Sequence, residues 1–256
     1  MSGWLDVTAI GHNSYCYEPA REVVGMCRKI WPDGVWAYTA HNGTLGGKWK
    51  TDEADASMPI KYSVCVWTEG RLTARGYRDL LKPRPGLWYD TARARHWDHS
   101  PLDVVRNLPE EMIMRGHDGV GDFGADLFPI KNPKGAGYFC LGNGRGTGGP
   151  NDAQRAVLAP GPDGPVPTER FENFREGVQI AEAILFLEKS LQDQTIDGEL
   201  AERVDRFLDE RSEVFRKYWY ERGPHFINRW SLPGQTRRDA SLLALCGEVA
   251  AQAAGK

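Results

Sequence analysis

The chain of 256 residues has no apolar run near the roughly 20 residues that cross a bilayer as a helix, so no membrane partner is expected. Its 32 basic and 35 acidic residues are dispersed, with a net charge of −3 and no cationic run. That speaks against nucleic acid as a partner and against a polybasic membrane anchor. Cysteine is scarce and odd in number: Cys16, Cys27, Cys65, Cys140 and Cys246 show no C-x-x-C pair. A disulfide framework or thiolate zinc site is therefore not expected, and the thiols read as free. The start, Met1-Ser2-Gly3-Trp4-Leu5-Asp6, lacks the basic and apolar regions of a signal peptide. The glycine-rich Gly142–Pro150 stretch lacks the Gly-Lys-Ser/Thr ending of a phosphate loop, and no cofactor is expected.

What is present is an alternation of strand-like and helix-like segments. Strands are predicted at 4–10, 35–40, 62–67, 87–89 and 116–121, with helices at 21–31, 72–81 and 102–114, the last made irregular by Pro109. Such alternation predicts an α/β architecture with a parallel sheet. Each predicted strand closes on a polar knot: His12-Asn13, His41-Asn42, Glu69–Arg71, Asp90–Arg93 and His117–Asp122. Five in succession suit a TIM-type (β/α) barrel, where the C-terminal ends of the strands carry the functional side chains.

The densest of these knots is Gly116–Phe128, one histidine and three aspartates among four glycines. Glycine permits close approach of backbone to a ligand, and carboxylates accept hydrogen bonds or move protons. The competing reading is a turn in which the aspartates cap local backbone. His117, Asp118, Asp122 and Asp126 offer oxygen ligands, but their spacing fits no calcium loop, and no metal is expected. Among nine tryptophans, Trp67 and Trp88 lie near predicted strand ends, where an indole can face a sugar ring.

Residues 131–167 read as a long glycine- and proline-rich loop. Thr168 then caps a helix whose stripe is Phe171, Phe174, Val178, Ala181 and Leu185, and further helices are expected at 200–220 and 240–254. The expected organisation is a barrel or the C-terminal part of one in residues 1–167, with a helical extension packed on it in 168–256.

The stretch Pro162-Asp163-Gly164-Pro165-Val166-Pro167-Thr168-Glu169-Arg170-Phe171-Glu172-Asn173-Phe174-Arg175-Glu176-Gly177 resembles the end of the catalytic region in family 123 glycoside hydrolases. There a Gly-Pro loop leads into a helix of the form Ser/Thr-x-Arg-x-Glu-x-x-Arg-Glu/Asp-Gly. Leu87-Trp88-Tyr89 looks like the family's preceding Trp-Tyr strand, and the resemblance covers about residues 60 to 190. Where the family continues Gly-Ile-x-Asp-Tyr-Glu-Tyr, this chain has Gly177-Val178-Gln179-Ile180-Ala181-Glu182-Ala183.

The resemblance implies a (β/α) barrel that binds or hydrolyses carbohydrate, with N-acetylhexosaminides as the substrate class. It also implies substrate-assisted hydrolysis by an Asp-Glu pair: one carboxylate orients the acetamido group and the other protonates the leaving oxygen. Tyr17-Glu18-Pro19 is the nearest match in context, which makes Glu18 the candidate acid. Asp118 and Asp122 are the other candidate carboxylates, and His41, Trp67, Glu69, Trp88, Asp90 and His117 are the candidate sugar contacts. Five strands fall short of the eight that close a barrel. The sheet is thus expected to be completed by an N-terminal half or by self-association through its open edge, and the alternative function is a non-catalytic carbohydrate-binding or assembly fragment.

Overall fold

The computed structural model describes residues 8–14, 19–40, 48–50, 57–65, 74–83, 87–91, 102–121, 129–131, 138–140, 157–222 and 233–255. In chain order the first six strands are β1 (Ile10–Ser14), β2 (Trp36–Ala40), β3 (Lys48–Lys50), β4 (Ser57–Cys65), β5 (Leu87–Thr91) and β6 (Gly119–Gly121). Five of them, β1-β2-β4-β5-β6, form a parallel sheet in which each strand lies beside its predecessor. β3, which the hydrophobic pattern did not announce, pairs antiparallel with the start of β4.

Two helices cover one face of this sheet. Helix α1 (Arg21–Ile30) buries Val24 completely against Trp36, Tyr38 and Ile60. Its ends suit the helix dipole, with Glu22 in the first turn and Arg28 and Lys29 in the last. Helix α2 (Leu102–Met114) sets Val105, Leu108 and Met112 in a second cluster against Val120 of β6. Partners in register share a face of a sheet, and successive residues alternate. Tyr38 is in register with Ser63, and Ser63 with Trp88; Asp90 is in register with Val120. Positions 38, 63, 88, 90 and 120 therefore share one face, and α1 and α2 lie on the same side.

Residues 129–167, expected as loop from 131 onward, contain two antiparallel strand pairs. β7 (Pro129–Lys131) pairs with β8 (Tyr138–Cys140), and β9 (Leu158–Gly161) pairs with β10 (Gly164–Pro167). Strands of three or four residues are too short to show alternation, and β9 and β10 are also rich in proline and glycine, with Pro162-Asp163 making the tight turn between Gly161 and Gly164.

The helices α3 (Glu169–Gln192), α4 (Gly198–Arg222) and α5 (Gln235–Ala254) follow. Thr168 caps α3 as expected: its hydroxyl oxygen accepts from the Phe171 amide at 3.5 Å and donates to the Val157 carbonyl at 2.8 Å. The buried stripe of α3 is rotated from the expected one. Gly177, Ile180, Ala181, Ile184 and Leu187 are buried, whereas Val178 is exposed. Phe171 and Phe174 turn instead to the Val105–Leu108 cluster of α2.

The main core joins Leu187 of α3, Val204 and Leu208 of α4, and Leu242 and Val249 of α5 to Tyr77, Ile113 and Met114. It crosses the boundary expected at 167/168, because α2 and the 3-10 turn Gly76–Asp79 pack into it. Each fully buried leucine there contributes about 1.5–3 kcal/mol.

Helices α2 and α3 cross closely, and Gly177 permits it. A Cβ at this position would lie 2.1 Å from the carbonyl oxygen of Arg106 and 3.0 Å from Cδ of Pro109. Gly247 of α5, in contrast, has nothing within 4 Å of such an atom. Gly177→Ala should therefore destabilise the fold by about 1–3 kcal/mol through overpacking. Gly247→Ala should stabilise it by about 0.5–1 kcal/mol through helix propensity. Urea unfolding of both variants checks this, and equal effects would refute the close crossing.

Candidate functional site

All five parallel strands end on one edge of the sheet, and Ser14, Ala40, Cys65, Asp90 and Val120 form a row in register there. Chain that leaves this edge carries most of the residues singled out from the sequence. Glu18, His41, Trp67, Glu69 and Asp122 lie outside the described residues. Trp88 and Asp90 belong to β5, at positions on the face that the helices cover.

The opposite face presents a different set at the same end. Asn13, Thr39, Val64, Tyr89 and Gly119 form a row in register, and Thr91 lies beside Gly121 one step nearer the edge. The two β6 glycines thus fall together on this face, beside Tyr89 and Thr91, with Val120 between them on the other. Without Cβ atoms they leave backbone open to close approach by a ligand. Tyr89, Thr91 and Thr39 were not singled out in the sequence. Counting by twos from Val120, the one apolar residue of the Gly-Val-Gly strand, is the signal that finds the face.

His117 and Asp118 lie elsewhere. They precede β6, so they sit at the end of the sheet opposite the strand C-termini, and three extended residues separate Asp118 from Asp122. At about 3.3 Å per residue, β6 sets Asp118 roughly 10 Å from the edge formed by the strand C-termini. The expected strand over 116–121 is shorter because Gly116 and His117 end α2 instead. Gly116 adopts φ +72°, its amide donates to the Ile113 carbonyl at 2.9 Å, and the His117 amide donates to the Met112 carbonyl at 2.9 Å. This is a left-handed helix stop with both orphan carbonyls satisfied. His117 is buried beneath it and Asp118 is exposed.

The remaining polar chemistry of the described residues lies among the helices. Arg211 of α4 donates from Nε and Nη2 to the two carboxylate oxygens of Glu110 at 2.7 Å each, and from Nη2 to Asp239 at 2.7 Å. Arg106 bridges Asp239 at 2.5 Å and Glu176 at 2.8 Å. A second hub is Arg75, which pairs with Glu188, Asp205 and Asp209 at 2.5, 2.5 and 3.1 Å. Burial alone would lower the Arg75 pKa, but hydrogen bonds to Asp205 and Glu188 outweigh it and raise the value. Burial pushes the Cys246 thiol up to about 11, so it stays protonated near neutral pH and is a poor nucleophile. Among the described residues no group of three His, Cys, Asp or Glu side chains is placed to hold a metal. No described helix is long and apolar enough to cross a membrane.

No known family model matches this chain, and neither does any curated protein sequence. The activity has to be read from the residues themselves.

Glu111 provides a direct test of the buried charges in α2. Its carboxylate accepts from Arg115 Nη2 at 3.1 Å, and both side chains are buried. Burial raises its pKa above the ordinary 4.5, more than Arg115 lowers it. Between 4.5 and the raised value the folded state holds a proton that the unfolded state releases, so stability falls as pH rises through that window. The unfolding free energy of the wild type minus that of Glu111→Gln should therefore fall as pH rises above 4.5. Urea titrations between about pH 4 and pH 8 measure it, and a difference independent of pH would disprove it.

Proposed function

We propose that this chain is a glycoside hydrolase-like domain that binds carbohydrate at the C-terminal edge of its parallel sheet, and that the sheet is an arc of a (β/α) barrel. Support for the barrel comes from the strand order. Five parallel strands follow one another without reversal, and α1 and α2 lie on one side. A doubly wound sheet would reverse its order and place helices on both sides.

The observation that carries the carbohydrate reading is the set of residues at this edge on the face opposite α1 and α2. Tyr89 and Thr91 lie beside the side-chain-free positions Gly119 and Gly121. An aromatic platform with hydroxyls and open backbone suits a sugar ring, whose CH face stacks while its hydroxyls hydrogen-bond. N-acetylhexosaminides are the substrate class that the Thr168–Gly177 helix points to. In that chemistry Glu18, four residues after the end of β1, is the acid that protonates the leaving oxygen.

One observation favours the second reading, a carbohydrate-binding domain without turnover. Asp118 lies before β6, at the end of the sheet away from the strand C-termini where the sugar is proposed to bind.

Calorimetric titration with N-acetylhexosamine oligosaccharides and assay of aryl N-acetylhexosaminides test both. Tyr89→Ala should weaken glycan binding by about tenfold, the loss of one stacked ring. Asp118→Asn should leave binding and turnover unchanged. Glu18→Gln should abolish turnover and spare binding; binding without any wild-type turnover selects the second reading. No binding across a glycan panel would reject both.

A further inference from the structure

Helix α1 is more apolar than its contact with the sheet requires. At 3.6 residues per turn, Cys27, Val23, Ile30 and Met26 fall about 60°, 100°, 120° and 160° round the helix from Val24, all in one direction. Arg28, Arg21, Gly25, Lys29 and Glu22 fall round the other side. The apolar sector is thus continuous, but only its Val24 edge is fully buried, against Trp36, Tyr38 and Ile60. Cys27 is partly buried beside it, while Val23, Met26 and Ile30 are 41%, 56% and 77% exposed. An amphipathic helix turns the middle of its apolar sector toward whatever covers it, and here the middle is Val23 and Ile30. Three large aliphatic side chains along one side of a ten-residue helix form a patch rather than scattered single residues.

The charges beside this stripe select what fits it. Glu22 and Lys29 border it on the Met26 side, about two turns apart; both are exposed and neither pairs with another described residue. A second α1 laid antiparallel on the stripe, about a two-fold axis near Met26, sets Val23 against Ile30 in both directions. The same axis places Glu22 of each copy beside Lys29 of the other. Met26 meets its own equivalent at the axis, where an unbranched, adaptable side chain packs readily. A parallel arrangement would instead face Glu22 with Glu22 and Lys29 with Lys29, and would align the two helix dipoles. The stripe is complementary to itself in the antiparallel sense only.

We propose that the Val23, Met26 and Ile30 face of α1 is a self-association surface, on which α1 of a second copy of this chain packs antiparallel to form a symmetric dimer. Burial of the three aliphatic side chains from each copy drives it, and the Glu22–Lys29 pairs at the rim set direction more than affinity. The helix is about 15 Å long, which puts the contact at the small end of specific interfaces. The dimer is accordingly weak, with a Kd of about 10 μM. Because α1 lies on the other side of the sheet from Tyr89 and Thr91, the dimer does not involve that face.

Sedimentation equilibrium of the whole chain from about 1 to 100 μM tests this, and should show a monomer–dimer equilibrium that stops at two copies. Met26→Glu, which sets two carboxylates against each other at the axis, should raise Kd by about tenfold or more. Leu243→Glu, at an aliphatic position of α5 that is 55% exposed, should leave it unchanged. Glu22→Lys should weaken the dimer, and Glu22→Lys combined with Lys29→Glu should restore it, a rescue that general stickiness of an apolar stripe does not give. Circular dichroism checks that each variant is folded. A wild type that stays monomeric at about 100 μM would leave the stripe to a partner of another kind and overturn the proposal. Association untouched by Met26→Glu would place the contact elsewhere, such as the sheet edge formed by β1, and would overturn it too. Failure of the double variant to recover the dimer would refute the antiparallel pairing.

Discussion

The close approach of α2 to α3 at Gly177 is the constraint on which the rest of the molecule depends. Helix α2 covers the last strand of the parallel sheet with Val105 and Leu108 and enters the helical core with Ile113 and Met114. It is therefore the element shared by both halves. Its partner α3 reaches it only because position 177 has no Cβ to meet the Arg106 carbonyl. Close packing makes such a crossing nearly all-or-none, since a single methyl there has nowhere to go without moving backbone. Pro109 lies at the same crossing, so the helix irregularity and the helix contact coincide.

Charge then fixes the register of the helices that apolar burial brings together. Leucine and isoleucine faces tolerate sliding and rotation, whereas a forked guanidinium between two carboxylates does not. Arg211 holds α4 to α2 through Glu110 and to α5 through Asp239. Arg75 holds its own turn to α3 through Glu188 and to α4 through Asp205. Arg75 adopts φ +53°, a conformation that side chains rarely occupy, and its guanidinium is the group that organises this hub. Buried pairs of this kind add little net stability, but loss of one partner leaves a charge stranded, at about 3–5 kcal/mol.

Much of the fold was legible along the chain because local rules produced it. The α1 helix, the Thr168 cap and the strand at 36–40 follow from periodicity and capping chemistry, although α1 buries only Val24 and leaves Val23, Met26 and Ile30 exposed. The strand pairs within 129–167 were not legible, because strands of three or four residues are too short to show alternation. The candidate site was half legible. The ends of β2, β4, β5 and β6 were found, but β1 runs through the His12-Asn13 pair expected to follow a strand at 4–10, and the aromatic at 88 and the acid at 90 drew attention from Tyr89 and Thr91, whose positions belong to the face opposite α1 and α2. Hydrophobicity does not report which face of a strand is buried when both alternating sets are aromatic or polar.

The Gly116–Phe128 run shows where the division lies. By itself the sequence determined that this stretch is rich in glycine and carboxylates, and so is free to turn and able to accept hydrogen bonds in any setting. It also determined that a capped helix must begin at Thr168, since that depends only on neighbouring residues. The tertiary structure alone decided that Gly116 stops a helix, that Gly119 and Gly121 share one face, and that His117 and Asp118 fall at the far end from the strand C-termini. It alone brought Arg211 of α4 to Glu110 of α2 and Asp239 of α5. The physical reason is that caps and turns are set by neighbours in sequence, whereas the face of a strand and the partner of a buried charge are set by chain that is distant in sequence.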